Sequence, residues 1–125
     1  MRVDVVTLFP ELIEGPFAVS VLGRAQERGL VKINAVNPRD FTTDRYRTVD
    51  DRPYGGGAGM VMKPEPLFAA VESVRTTAST VVLMTPQGRC LRQPLVERLA
   101  TEDHLILICG HYEGVDERVR QTLPD

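Results

Sequence analysis

The sequence lacks the features that mark disulfide-bonded, zinc-binding or membrane proteins. Its 125 residues include 2 cysteines, Cys90 and Cys109, and no CxxC pair. Cysteines at that separation provide neither a disulfide framework nor the ligand spacing of a zinc site, so no metal site is predicted. No stretch approaches the roughly 18 consecutive apolar residues of a membrane span, and Asp4 interrupts the first apolar run. We therefore expect a soluble, unexported protein of the reducing cytoplasm, with no membrane partner.

Positive charge is not in excess either. The chain has 15 Lys and Arg residues against 17 Asp and Glu residues, which gives a net charge of -2. Proteins that grip nucleic acid through its phosphates usually carry a basic excess. Composition alone therefore argues weakly against an RNA partner, while the chain length fits a single globular domain.

Several familiar nucleotide-binding and catalytic patterns are also missing. The glycine-rich segment at 55–59 is followed by Met60 and Val61, where a P-loop requires Lys and then Ser or Thr. After the first predicted strand the sequence reads LFPE at 8–11 in place of GxGxxG. No Ser-His-Asp or Cys-His set is recognisable in the sequence. The sequence therefore argues against a dinucleotide-dependent oxidoreductase.

Hydrophobic periodicity predicts strands that alternate with helices. Strands are predicted at 3–9, 31–36, 80–84 and 105–109. Helices are predicted at 20–28, 65–76 and 93–100, with a last one from about 116. The last two strands are continuous apolar runs, typical of strands buried on both faces, and Gly29 resembles a helix C-cap. The alternation predicts an α/β fold, a mainly parallel sheet with helices on both faces.

A long stretch at 38–59 has neither helical nor strand periodicity, which is unusual inside a compact domain. Four arginines and four aspartates occur between positions 39 and 52, a balance that predicts internal order and not a simple phosphate-binding patch. Four glycines among positions 55–59 leave backbone amides unshielded by side chains. Such a segment can wrap around a ligand or another chain, and a flexible surface linker is the alternative.

Two glycine-bearing loops, at 84–89 and 109–118, follow the two apolar strands. Ligands of open parallel sheets bind outside the carboxyl ends of the strands, so these loops predict a binding site. Gly110 and Gly114 would let the backbone approach a flat base, Tyr112 could stack on it, and Glu113 could accept hydrogen bonds or face a cationic ligand. These are the needs of an adenosyl site. Tyr112 as a packing residue and Asp116 as a helix N-cap are the structural alternatives.

The motifs together resemble one known family, the bacterial tRNA (guanine-N1)-methyltransferases called TrmD. The match spans the whole chain, and its motifs are long, chemically mixed and correctly ordered. They are TLFPE at 7–11, GRA at 23–25, PRDF at 38–41, DR at 44–45, RTVDDRPYGGG at 47–57, PQGR at 86–89 and GHYEGVDER at 110–118. A small departure is His111, where arginine is also common in the family.

The resemblance implies a cytoplasmic enzyme that uses S-adenosyl-L-methionine to methylate N1 of guanosine 37 in tRNA and so maintains the reading frame. It also implies the SPOUT class of fold, with a trefoil knot that is an exception to the rule against threaded chains. Family members are homodimers with shared active sites, and Mg²⁺ is a further ion that the family suggests. Residues 1–125 correspond to the N-terminal S-adenosylmethionine-binding domain, truncated within the knot and without the C-terminal tRNA-binding domain.

The resemblance also assigns site residues. Those expected to bind the cofactor are Leu83, Met84, Thr85, Pro86, Gly88, Gly110, Tyr112, Glu113 and Gly114. Those expected at the RNA or dimer interface are Arg24, Asp50, Arg52, Tyr54, Gly55, Gly56, Gly57 and Gly59. The family's proposed base and third cofactor loop correspond to positions beyond Asp125, so this chain alone is predicted to be inactive. The alternative is a dimerisation or RNA-docking module of the same fold that has lost catalysis.

Overall fold

A computed structural model describes residues 1–51, 59–111 and 114–125. The strands in this part are β1 (Arg2–Val6), β2 (Lys32–Val36), β3 (Asp50–Asp51), β4 (Val61–Met62), β5 (Ser79–Met84) and β6 (His104–Cys109). The helices are α1 (Glu11–Glu14), α2 (Ser20–Glu27), α3 (Pro64–Val74), α4 (Gln93–Leu99) and α5 (Glu117–Thr122). Two 3-10 helices occupy Pro16–Ala18 and Pro38–Phe41. None of the helices in these ranges is long and apolar enough to cross a membrane.

The main sheet has four strands in the order β2-β1-β6-β5, and every neighbouring pair is parallel. Such pairs need crossover connections, which the helices between the strands provide. The predicted α/β class and the parallel sheet are therefore confirmed. β5 and β6 are neighbours in this order and run parallel, so their carboxyl ends lie next to each other.

Most helix and strand boundaries fall within a few residues of their predicted positions. The first strand is the largest difference, because it ends at Val6 and not at position 9. Thr7 still donates its backbone N–H to Val36 O, at 3.0 Å. Its hydroxyl then accepts from the N–H of Phe9, at 3.1 Å, so the chain turns toward α1 at that point. Gly29 follows α2 with a φ of 71°, as expected for a glycine just after a helix.

The core lies on the sheet face that α3 and α5 cover. Side chains alternate along a strand, and the register places Val6, Ile106, Ile108 and Val81 on this face, all of them buried. The two helices and the residue that follows α5 contribute further buried side chains to the same cluster, which are Leu67, Ala70, Val71, Val119 and Leu123. This face is the closed side of the domain.

The opposite face of β5 and β6 is covered only in part. An apolar groove of about 590 Å³ runs between this face and α4, and Val82, Leu107 and Leu99 are among the residues that line it. All three are half-buried. The prediction that both strands are buried on both faces was therefore wrong for this face, because α4 has only 7 residues and leaves part of the sheet uncovered.

A buried polar network joins the strands at their amino ends. The Asp4 carboxylate, 1% exposed, accepts from His104 Nε2 at 2.6 Å and forms an ion pair with Arg2, whose Nε lies 2.8 Å away. His104 Nδ1 and Ser79 Oγ form a hydrogen bond of 2.7 Å. The sequence did not reveal this Asp-His-Ser chain, because strand register brings together residues up to 100 positions apart. It lies at the end of the sheet opposite the loops predicted to bind a ligand, and it holds β1, β6 and β5 together.

The stretch at 38–51 is ordered, as its charge balance predicts. Its 3-10 helix begins after Asn37, whose side chain accepts from the N–H of Arg39 at 3.0 Å. Val49 is buried in the core, and β3 pairs antiparallel with β4. The alternative of a flexible linker applied mainly to the glycine-rich segment at 55–59. Most of that segment falls within 52–58, which lies outside the described residues.

Candidate functional site

The loops that follow β5 and β6 enclose a pocket at the carboxyl edge of the sheet. Its volume is about 220 Å³. The residues that line it are Leu83, Met84, Thr85, Pro86, Gly110, His111, Gly114 and Val115. Six of the residues predicted to bind the cofactor therefore lie together around one cavity. Predicted positions 112 and 113, Tyr112 and Glu113, lie outside the described residues.

Two glycines fit this pocket for different physical reasons. A Cβ at Gly110 would stand 3.2 Å from Val115 Cγ1, closer than an ordinary van der Waals contact. Gly114 has a φ of 140°, a backbone conformation that side chains of L-residues rarely adopt. Gly88, the remaining predicted loop glycine, is not on the pocket wall. It closes a turn in which its N–H donates to Thr85 O at 3.1 Å.

The second loop is anchored by Met62 of β4. Met62 donates its N–H to Gly114 O at 2.9 Å, and its carbonyl accepts from the N–H of Asp116 at 3.0 Å. Its sulfur accepts from the N–H of His111 at 3.2 Å. Only 1% of Met62 is exposed, so both its backbone and its side chain hold the loop from the core side. The sequence did not predict a role for Met62, because a strand of only two residues is too short to show the alternating pattern that marks a buried position.

An aromatic contact lies at the pocket's outer edge. The rings of Phe9 and His111 meet edge to face, with their centroids 4.8 Å apart and an interplanar angle of 68°. Phe9 lies three residues after β1 and His111 two residues after β6, so this contact links the segments that follow the two strands. Such a ring pair contributes about 0.5–1.5 kcal/mol beyond its buried area.

Burial or a neighbouring side chain accounts for the ionisable groups described near the pocket. Burial raises the pKa of the Cys109 thiol, which keeps it neutral and suits a packing residue. Asp116 is the N-cap of α5, as its structural alternative predicted, and it accepts from the N–H of Arg118 at 2.9 Å. Hydrogen bonding to the Arg118 side chain lowers the pKa of Asp116. Glu117 pairs with Arg120 on the exposed side of the helix.

Three of the residues predicted at the RNA or dimer interface belong to the described part of the chain, and none of the three lines this pocket. Arg24 is exposed on α2, and Asp50 is half-buried in β3, two residues of the described part that do not line the pocket. Gly59 is exposed and has a φ of 84°. The others, Arg52, Tyr54, Gly55, Gly56 and Gly57, lie outside the described residues. Within the described ranges no group of three or more His, Cys, Asp and Glu side chains is placed to hold a metal ion.

Comparison with known proteins gives a consistent match over the whole chain. The family described as tRNA (Guanine-1)-methyltransferase TrmD matches residues 1–125. A tRNA (guanine-N(1)-)-methyltransferase of Dictyoglomus turgidum is 57% identical over 123 residues, which cover 98% of this chain and 50% of that protein. The protein of the same name from Gloeobacter violaceus is 61% identical over 125 residues, covering 98% and 55%. The chain thus spans about half the length of the curated relatives it matches.

Proposed function

The chain belongs to the tRNA (guanine-1)-methyltransferase TrmD family, and from that premise we propose that its pocket holds S-adenosyl-L-methionine as methyl donor. The substrate is tRNA, methylated at N1 of guanosine 37, which supports reading-frame maintenance. The observation that carries the proposal is the convergence of the 83–86 and 110–115 loops on one cavity at the carboxyl edge of a parallel sheet.

The pocket's chemistry suits an adenosyl group. Leu83 and Val115 offer apolar contact to a flat base, while the loop backbones supply amide donors and carbonyl acceptors. Gly110 and Gly114 keep side chains out of the space next to these backbone groups. Cys109, at the end of β6, stays a neutral thiol and takes no part in transfer. The cofactor supplies an electrophilic methyl group, and these residues bind and orient it.

Methyl transfer to guanine N1 also requires that the N1 proton be removed and that the two reactants be held in line. In the family the proposed base lies outside the half that this chain matches. The pocket's volume of about 220 Å³ is also below the roughly 300–1,000 Å³ usual for small-molecule sites. We therefore propose that a polypeptide of these 125 residues is inactive alone and binds the cofactor weakly. Measurable methylation of a guanosine-37 tRNA by it would contradict this.

Further properties of the whole enzyme rest on family membership. We propose that it acts as a homodimer in the cytoplasm and that Mg²⁺ assists it. The segment at 50–59 then belongs to the RNA or dimer interface, and the SPOUT knot is completed by residues beyond those matched here. The competing hypothesis is a dimerisation or RNA-docking module without catalysis.

A titration followed by NMR tests the cofactor proposal, since chemical shifts detect weak binding. S-adenosyl-L-methionine should shift the amide signals of Leu83 to Thr85 and of Gly110, and Gly114→Ala should weaken binding at least tenfold. Gly29→Ala is the matched control, because Gly29 also has a positive φ with free space around it but lies outside the pocket. Gly29→Ala should cost about 1–2 kcal/mol of stability, and Gly114→Ala at least as much, because a φ of 140° lies outside the left-handed helical region. A dimer that shows no cofactor shifts would favour the docking module.

A further inference from the structure

Tyr46 lies at the tip of a turn formed by residues 44–48, and 80% of it is exposed. It is the most exposed large hydrophobic residue in the part of the chain that the structure describes. The Arg45 guanidinium carbon lies 5.7 Å from the centroid of the Tyr46 ring, within the range of a cation–π contact. Neither residue lines the pocket at the carboxyl edge of the sheet.

Hydrogen bonds hold the turn from inside. The Asp44 carboxylate accepts from the N–H of Thr48 at 2.9 Å and from its hydroxyl at 2.5 Å. The Thr48 hydroxyl lowers the pKa of Asp44, so the carboxylate stays charged at neutral pH. The N–H of Arg47 donates to Asp44 O at 3.2 Å, and Arg47 adopts a φ of 51°. A non-glycine residue in that conformation costs about 1–2 kcal/mol, so the surrounding bonds must fix it.

The turn is also tied to the 3-10 helix at Pro38–Phe41. Arg39 Nη1 donates to Arg47 O at 3.1 Å, and Arg47 Nε donates to Arg39 O at 3.3 Å. Arg47 Nη2 contacts Asp40 Oδ1 at 2.5 Å. Pro38 is buried and Phe41 packs against the core, so the helix provides a firm base. The Tyr46 ring therefore projects from a backbone that is fixed before any partner arrives.

Several cations lie around the turn, among them Arg39 and Lys63, and Arg45 is the one that contacts the Tyr46 ring. Arg47 is paired with Asp40, while the Asp44 carboxylate is hydrogen-bonded to Thr48 and keeps its charge. Among the described residues no carboxylate lies within salt-bridge distance of Arg45. An exposed aromatic face beside an unneutralised guanidinium matches what an unpaired nucleotide offers, a base to stack and a phosphate to pair.

We propose that Tyr46 and Arg45 form a stacking platform for an unpaired RNA base. The platform rests on the proposed function in that the RNA is the tRNA substrate, and it is separate from the cofactor pocket. Its base selectivity is low, because every base has a π-face. Tyr46 supplies the stacking surface, while Arg45 covers the ring's other side or reaches the adjacent phosphate.

The test uses an RNA hairpin with one unpaired 2-aminopurine in its loop, whose fluorescence falls when the base stacks on an aromatic ring. The chain should quench this signal, and Tyr46→Phe should preserve both quenching and affinity. Tyr46→Ala should abolish the quenching and weaken binding about 5- to 150-fold, the loss expected for one stacked base. Arg45→Gln should weaken binding more than Arg92→Gln, a matched loss of one exposed charge at the residue just before α4.

Several outcomes would overturn the platform. One is quenching that Tyr46→Ala leaves intact, and another is a wild-type chain that gives no quenching at all. Equal losses from Arg45→Gln and Arg92→Gln would mean that charge alone attracts the RNA. A change of oligomeric state in Tyr46→Ala, with RNA binding intact, would assign the ring to a protein interface. S-adenosyl-L-methionine binding, measured on the same variants, should not change, so a failure of the cofactor proposal is seen separately.

Discussion

The Asp4–His104 pair provides a stability prediction that can be worked from the structure. His104→Leu removes the 2.6 Å hydrogen bond to a carboxylate that is 1% exposed, together with the 2.7 Å bond to Ser79. A bond to a charged group contributes about 1.5–3 kcal/mol and a neutral one about 0.5–1.5 kcal/mol. Arg2 remains on Asp4 at 2.8 Å and limits the damage. We expect the free energy of unfolding to fall by about 2–4 kcal/mol.

The double variant Asp4→Leu with His104→Leu should recover most of this loss. Both side chains then lie on the core face of the sheet as apolar groups, and replacing a buried pair in this way is often neutral or stabilising. Arg2 is 44% exposed and can return to water. Ser79 Oγ still accepts a hydrogen bond from the N–H of Thr76, at 2.8 Å. The coupling energy between the two substitutions should therefore exceed about 1 kcal/mol in magnitude.

Urea unfolding followed by far-UV circular dichroism measures these changes, provided that the slope against urea stays constant. His111→Leu is the control, because it removes a histidine whose ring contacts Phe9 at the surface. It should cost about 0.5–1.5 kcal/mol, the worth of a ring contact. The reasoning fails if His104→Leu costs no more than His111→Leu, or if the double variant loses the sum of the single losses.

Three other predictions follow from particular contacts. Cys90 is exposed while burial raises the pKa of Cys109, so a thiol reagent at pH 8 should modify Cys90 first and Cys109 at least tenfold more slowly, as mass spectrometry of timed samples would reveal. Gly23→Ala would place a Cβ 2.4 Å from Ala18 O, so melting temperature should fall by several degrees, and an unchanged value would contradict the close approach. Asp116 has a lowered pKa in the folded state, so its contribution to stability is present above its unfolded-state pKa of 3.8 and is lost as the pH falls through its folded-state pKa. Asp116→Asn should remove that part of the loss of stability at acid pH, as urea unfolding at a series of pH values would measure.

The α/β class could be predicted from the sequence because apolar runs and helical periods are local signals. The parallel arrangement follows once strands and helices alternate, and the glycine loops lie at the carboxyl edge for the same reason. The extent of β1 could not be predicted so well. Val3 to Phe9 is a continuous pattern, yet Thr7 turns the chain through a side-chain hydrogen bond to the N–H of Phe9. The strand propensities of single residues contain no information about a side-chain hydrogen bond of this kind.

Contacts that depend on register were harder to predict. Asp4 and His104 each look like isolated polar residues at the start of an apolar run, and only the pairing of Arg2 with His104 and of Ser79 with His104 brings the network together. The two-residue strands β3 and β4 carry no periodic signal at all. Their existence depends on the antiparallel pairing of Asp50 with Met62, which is a tertiary contact.

Met62 gives the pocket and the proposed interface segment a common support. Its N–H and carbonyl bond to Gly114 and Asp116 on one side, and its strand pairs with Asp50 on the other. A shift of the β3–β4 pair would therefore stretch hydrogen bonds of 2.9 and 3.0 Å that fix the loop around Gly114. Because Met62 is buried in the core, the two sides cannot move independently without disturbing its packing. If the proposed interface at 50–59 contacts RNA or a second subunit, this residue gives that contact a direct physical route to the pocket proposed for the cofactor.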